Sequence, residues 1–200
     1  MNHFEHLLAA YPRLSNLLQK VPAFEALEPQ AIPIPEAITK IVVGQMLSRT
    51  AADAIYHRLT QKRTACQQEG AWQLSEADLL GCGLSRRKVR TIREFADFYE
   101  RDQFKVESWR NLDHEQLRAV VSEHWGLSHW SADMLAIFHF AMPDVFPEND
   151  GAIIRVRQTL EKHYLTGPLE PEFARPYRTS LARYMWALLD RKILSTAGSN

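Results

Sequence analysis

Cysteine is almost absent from this 200-residue chain: Cys66 and Cys82 are the only two. Two thiols cannot make a disulfide scaffold, a four-cysteine zinc site or a four-cysteine iron–sulfur cluster. Long apolar runs are also lacking. Ile41-Val42-Val43 is typical of the strongly apolar segments, far short of the ~20 residues of a membrane-spanning helix. Neither sign of charge is in excess, with 24 Lys+Arg against 24 Asp+Glu. That excludes histone-like and acidic-tail proteins, and it makes any contact with nucleic acid depend on local charge. The first turns hold Glu5 and two histidines with no small-residue cleavage site, so a secretory signal is not expected. What the chain does have is 46 % apolar and 24 % charged residues, the balance of a soluble protein that buries a core.

Apolar residues recur at helical steps almost throughout. Phe4, Leu7, Leu8, Tyr11, Leu14 and Leu18 predict a single amphipathic helix at the start. Pro22, Pro29, Pro33 and Pro35 make 21–35 an extended connector. From Glu36 a long helical stretch follows, with a break, if anywhere, at 44–50. Ser75 starts a short helix that stops at Gly81 to Gly83, Ser85 caps the next, and Asp113 precedes another. Further helices are expected over 130–141, 150–164 and 178–194, with 196–200 frayed. Nothing alternates like a strand, so the expected fold class is all-α. One internal echo stands out: Gly83-Leu84-Ser85 and Gly126-Leu127-Ser128 each open a helix after a tight break. Such turns are either ordinary helical hairpins or phosphate sites made by the exposed N–H groups of the second helix.

A few residues could carry chemistry. Asp150 lies just before a helical run. Alone it reads as an N-cap, yet a capping carboxylate is also an anion held by N–H donors, so cap and catalyst can be one residue. Arg86, Arg87, Lys88, Arg90 and Arg93 form a local basic cluster, which is either a solvated face or a contact to phosphates. Most of the five tryptophans belong to the core. Trp130 differs because it falls in the first turn after the second Gly-Leu-Ser break. The eight histidines show no ligand spacing beyond isolated pairs, so no metal-catalytic site is read.

Several of these segments, in order, resemble a known family. Gly126-Leu127-Ser128-His129-Trp130-Ser131-Ala132 is similar to its hairpin, and Pro143-Asp144-Val145-Phe146-Pro147-Glu148-Asn149-Asp150 to its catalytic loop. Ile41-Val42-Val43-Gly44-Gln45-Met46-Leu47-Ser48, Gly83-Leu84-Ser85-Arg86-Arg87-Lys88 and Pro176-Tyr177-Arg178 with Trp186 resemble three further motifs. The family is the helix-hairpin-helix DNA glycosylases, in their alkylpurine (3-methyladenine DNA glycosylase II) branch, and the likeness covers roughly 35–190. Ser128 stands where the hairpin has its second glycine, which requires a position without positive φ. Met46 stands where the motif has a second Gln.

The resemblance implies an all-α glycosylase domain over 1–200. It would have a central lobe of about 36–141 holding the hairpin, a second lobe of about 1–35 plus 142–200, and a DNA-binding cleft between them. It implies double-stranded DNA with a damaged base as partner and hydrolysis of the N-glycosidic bond of a flipped-out alkylated purine. Asp150 would be catalytic; Trp130, Trp186 and Met134 would form the base pocket; Met46 would be the wedge. Gln45, Ser48, Gly126, Ser128, His129, Arg86, Arg87, Lys88 and Arg178 would contact DNA. No cofactor is implied beyond a monovalent cation at the hairpin 126–128. No Lys lies between Lys105 and Lys162, and Trp130 occupies the position where bifunctional relatives carry the Schiff-base lysine, so a monofunctional enzyme is expected. A monomer in the cytoplasm, or on the nucleoid of a bacterium, completes the expectation. The alternatives are a non-catalytic DNA-binding relative and an unrelated helical interaction domain.

Overall fold

Prolines and short polar side chains decide where the helices begin and end. The computed structural model describes residues 2–194; the tail 196–200, expected to fray, lies outside them. Among the described residues there is no strand. Helix α1 (His3–Ala10) opens with a capping box in which Asn2 and Glu5 each accept the other's backbone N–H. The single helix expected as far as Leu18 is broken. Pro12 has no N–H and forces Tyr11 out of the helical region (φ −127°, ψ 67°). A 3₁₀ turn (Pro12–Leu14) and the short α2 (Ser15–Leu18) follow.

Helix α3 (Ile34–Gly44) starts two residues earlier than expected, with Pro35 in its first turn, where a missing N–H costs nothing. The break falls at 45–48, and Ser48 caps α4 (Arg49–Ala65). Ser75, Ser85 and Asp113 cap α5 (Glu76–Gly81), α6 (Arg86–Arg101) and α8 (His114–Ser122) as read from the sequence. The short α7 (Gln103–Glu107) is an addition. Helix α9 (His129–Phe138) ends before 141, and Ala141 turns to φ 56°. Helices α10 (Gly151–His163) and α11 (Arg178–Asp190) follow. The last helix stops short of 194 because Lys192 adopts φ 54° and Ile193 N–H returns to the Leu188 carbonyl (3.0 Å), a Schellman closure.

The chain divides into two units, 28–140 and 1–27 with 141–200; the sequence placed these divisions near 35/36 and 141/142. The connector around Gln30 goes with 28–140 because Arg110 binds the Gln30 and Ile32 carbonyls (2.9 and 3.0 Å), and Gln30 N–H donates to the His139 carbonyl (2.8 Å). In the discontinuous unit, Leu7, Leu14 and Leu18 pack with Ile153, Val156 and Leu160 of α10 and Leu181, Tyr184 and Leu188 of α11. In the other unit α3 packs on α6 and α9, and α8 packs on α9. Its buried residues include Ile38, Val42, Ile92, Phe95, Leu117, Val121, Leu135 and Ile137. Each such side chain contributes about 1.5–3 kcal/mol by leaving water. Cys82 is buried and Cys66 exposed, and neither is in a disulfide. Among the described residues no helix is long and apolar enough to cross a membrane.

Candidate functional site

Asp150 owes its position to a loop docked on α11. Thr179 Oγ1 donates to the Met142 carbonyl (2.6 Å) and accepts from Val145 N–H (3.0 Å), while Thr179 N–H donates to the Pro143 carbonyl (3.0 Å). Arg178 grips Asp144 with Nε on Oδ1 (2.7 Å) and Nη2 on Oδ2 (3.1 Å), and reaches Glu172 through Nη1 (2.8 Å). Val145, Phe146 and Pro147 of the loop are buried. Asp150 N–H then donates to the Pro147 carbonyl (2.9 Å), and its side chain caps α10. Oδ1 accepts from Ala152 N–H (2.9 Å), Ile153 N–H (3.0 Å) and Trp186 Nε1–H (2.9 Å). Three donors on one oxygen, two of them at a helix N-terminus, fix the orientation of the carboxylate.

The structure thus brings Asp150 and Trp186 into direct contact, 36 residues apart in sequence. Trp186 is half-buried, and its ring is fixed by the residue it serves. Arg178 has its partners within the protein. Expected on DNA, it is largely buried and engaged by Asp144 and Glu172, and those carboxylates hold its guanidinium above the usual arginine range against the opposing effect of burial. It anchors the Asp150 loop through Asp144.

In the unit 28–140, the break between α3 and α4 carries the most unusual residue. Met46 is fully exposed and adopts φ 57°, a left-handed conformation that a residue with a Cβ rarely takes. Gln45 beside it donates from Nε2 to the Gly126 carbonyl (3.1 Å) and to Ser131 Oγ (3.4 Å). Lys88 also has its partners within the protein. Its ammonium, expected on phosphate, donates to the Val43 and Gln45 carbonyls (2.8 Å each) at the end of α3, and burial pushes it below the usual lysine range. Ser48 is exposed and caps α4 with its hydroxyl on Ala51 N–H (3.3 Å).

Gly126 has φ 77° at the turn between α8 and α9. A Cβ there would lie 2.0 Å from Thr91 Oγ1 of α6, so both conformation and space demand glycine. Ser128 sits at φ −147°, where any side chain is accepted, which meets the condition set by its replacement of a glycine. Its N–H donates to Ser131 Oγ (3.3 Å). Ser128 and His129 are exposed, Trp130 is half-buried, and Met134, one turn on, is buried. The Gly126 carbonyl accepts from Gln45 Nε2.

Arg86 and Arg87 remain as exposed cations of the basic cluster. Arg87 and Arg90 lie over the Trp125 ring, at 5.8 and 4.0 Å from its centroid. Arg90 also pairs with Glu94 (2.6 Å), and Arg93 with Asp97 (3.6 Å). One buried charge was missed in the sequence. Asp133 is buried on α9 and held by Arg118 (2.9 Å) and His114 (2.7 Å) of α8. A lone acid within the apolar run of α9 was the available signal, because a buried carboxylate demands partners. Among the described residues no group of three or more His, Cys, Asp or Glu could hold a metal.

No family model matches the chain. In sequence it is 27 % identical over 203 residues to the alkylbase DNA glycosidase-like protein mag2 of Schizosaccharomyces pombe, covering 92 % of this chain and 91 % of that protein. DNA-3-methyladenine glycosylase 1 of the same organism is 26 % identical over 162 residues, 76 % of this chain and 70 % of that protein. The solved structure of the Schizosaccharomyces pombe 3-methyladenine DNA glycosylase Mag1, in complex with abasic DNA, matches with a TM-score of 0.80 at 22 % identity over the whole of both chains. The fold is that of a 3-methyladenine DNA glycosylase. The DNA-3-methyladenine glycosidase of Bacillus halodurans shares the same glycosylase fold, at a TM-score of 0.67 and 21 % identity over 94 % of this chain and 89 % of that one. The all-α class expected from the sequence agrees with both.

Proposed function

We propose that the protein is a monofunctional DNA glycosylase that releases alkylated purines of the 3-methyladenine and 7-methylguanine type in base excision repair. The observation that carries this reading is Asp150, whose Oδ1 is fixed by two helix N–H groups and the Trp186 indole. A structural cap has no need of an indole donor, whereas an anion that must keep its place beside a developing cation does. Water adds to C1′ of the sugar, and the N-glycosidic bond breaks with its electron pair leaving on the base. The proton of the water passes to Asp150 or to solvent. Asp150 stabilises the oxocarbenium-like sugar or orients that water. An alkylated purine already carries positive charge, so its departure needs little acid assistance.

In the same reading the electron-rich face of Trp186, beside Asp150, favours such a cationic base by ~1–2 kcal/mol. Met46 enters the duplex where the base has left. The helix-hairpin-helix turn around Gly126 and the exposed Arg86 and Arg87 hold the backbone through phosphates. The similarity to Mag1 and mag2 along the chain supports the assignment. It is tested with duplexes carrying single 3-methyladenine, 7-methylguanine, hypoxanthine, uracil or 8-oxoguanine. Alkali-revealed abasic sites are expected at the alkylated purines, with no borohydride-trapped covalent adduct. Binding without base release from any duplex would make the chain a non-catalytic DNA-binding relative, and a trapped adduct would make it bifunctional.

A further inference from the structure

The turn that projects Met46 is assembled from three distant stretches of the unit 28–140. Helix α3 ends at Gly44, and its last carbonyls lack partners within the helix. The Val43 and Gln45 carbonyls converge on Lys88 Nζ, 2.8 Å from each. Lys88 reaches them from the first turn of α6, a turn capped by Ser85. From the other side, Gln45 Nε2 is fastened to the Gly126 carbonyl and Ser131 Oγ. Between these two braces Met46 stands fully exposed at φ 57°. A non-glycine residue rarely takes that region because its Cβ crowds the following carbonyl oxygen, and a fully exposed side chain gains nothing by burial. The conformation closes the turn after α3, with Leu47 N–H on the Gly44 carbonyl (3.3 Å), and leaves the Met46 side chain standing clear of the protein.

Resting on the glycosylase reading, we propose that Lys88 is a positioning residue for DNA: through the Val43 and Gln45 carbonyls it holds Met46 in the projecting conformation that enters a duplex at a missing base. Its ammonium does not touch phosphate. A compact ammonium suits two converging carbonyls, and it also opposes the negative end of the α3 dipole. The planar guanidinium of arginine does not fit that role. Because Gln45 ties the same turn to the hairpin, the element that grips the backbone and the element that probes the gap share one support.

The test is a pair of binding titrations, on a duplex with one abasic site and on the same duplex undamaged, each at several salt concentrations. The ratio of the two affinities does not depend on how much of a variant is folded. In Lys88→Met the preference for the abasic duplex is expected to fall about tenfold, with the salt slope of the parent. In a Met46→Ala background the same change is expected to have no further effect on the ratio, because the side chain that Lys88 positions is already gone. An unchanged ratio with a salt slope smaller by about one would make Lys88 a phosphate contact and overturn the proposal. Losses in ratio that multiply between Met46→Ala and Lys88→Met would also overturn it. A parent protein that binds both duplexes alike would overturn the glycosylase reading, and the proposal with it. A discriminating parent matched by Lys88→Met would overturn the proposal alone.

Discussion

His139 shows how much a single buried side chain can do. It follows α9, lies 5.0 Å from the Phe140 ring and is buried. Burial first, and then the nearby Arg110 charge, push its imidazole from the ordinary 6.5 down to about 4. Between those two values the unfolded chain holds a proton that the folded chain refuses. Stability is therefore unaffected above pH 6.5 and falls as the pH drops from 6.5 towards 4, by up to about 3 kcal/mol. Urea unfolding at pH 7.5 and pH 5 is expected to show a parental loss that is about 2 kcal/mol smaller in His139→Phe; equal losses would contradict the assignment. Other single residues were only half legible in the sequence. Asp150 could be read as a cap because capping is local. The inward turns of Lys88 and Arg178 could not, since their partners lie 43 to 45 and 34 residues away, and a cation's spacing does not say which carbonyl or carboxylate it will find.

At the scale of elements, the two Gly-Leu-Ser turns noticed in the sequence have the same local design. Gly83 (φ 99°) and Gly126 (φ 77°) are both left-handed, Leu84 and Leu127 are buried, and Ser85 and Ser128 precede α6 and α9. They differ in what surrounds the glycine. A Cβ on Gly83 would meet the end of the flexible Arg58 side chain at 2.9 Å, whereas on Gly126 it would meet buried Thr91 at 2.0 Å. Gly83→Ala is expected to cost about 1–2 kcal/mol, the conformational term alone. Gly126→Ala is expected to cost at least about 1 kcal/mol more, because α6 must shift. Thermal melting of the two variants compares them directly, and equal losses would mean that Thr91 yields freely. Helix starts were readable because Ser75, Ser85, Asp113 and Asp150 sit where N-caps belong. The break at Tyr11 was readable in principle from Pro12, but the apolar spacing runs straight through it. The left-handed Met46 left no trace in the pattern, since nothing in a methionine announces positive φ.

For the molecule as a whole, zero net charge means that DNA is not drawn in by a long-range field. In the proposed reading, recognition then rests on a few local groups: Arg86 and Arg87, the hairpin turn and the projecting Met46. The helical class was legible because periodicity is a local property repeated along the entire chain. The division into units was less so, because Arg110 and His139 claim the connector around Gln30 through contacts remote in sequence. Asp150 is either a cap alone or a cap and a catalytic anion, and one substitution separates the two. Asparagine at 150 can still accept from Ala152, Ile153 and Trp186, and it caps helices about as well as aspartate. Losing the charge at the α10 N-terminus should lower stability by less than about 1 kcal/mol, a melting shift of less than about 4 °C. Losing the same charge opposite a developing oxocarbenium should cost about 3–5 kcal/mol of barrier. The decisive measurement is single-turnover release of a 3-methyladenine-type base by Asp150→Asn, with melting recorded on the same preparation. The expected result is near-parental melting with release slowed about 10²–10⁴-fold. Near-parental melting with release at the parental rate would leave Asp150 as a cap and nothing more.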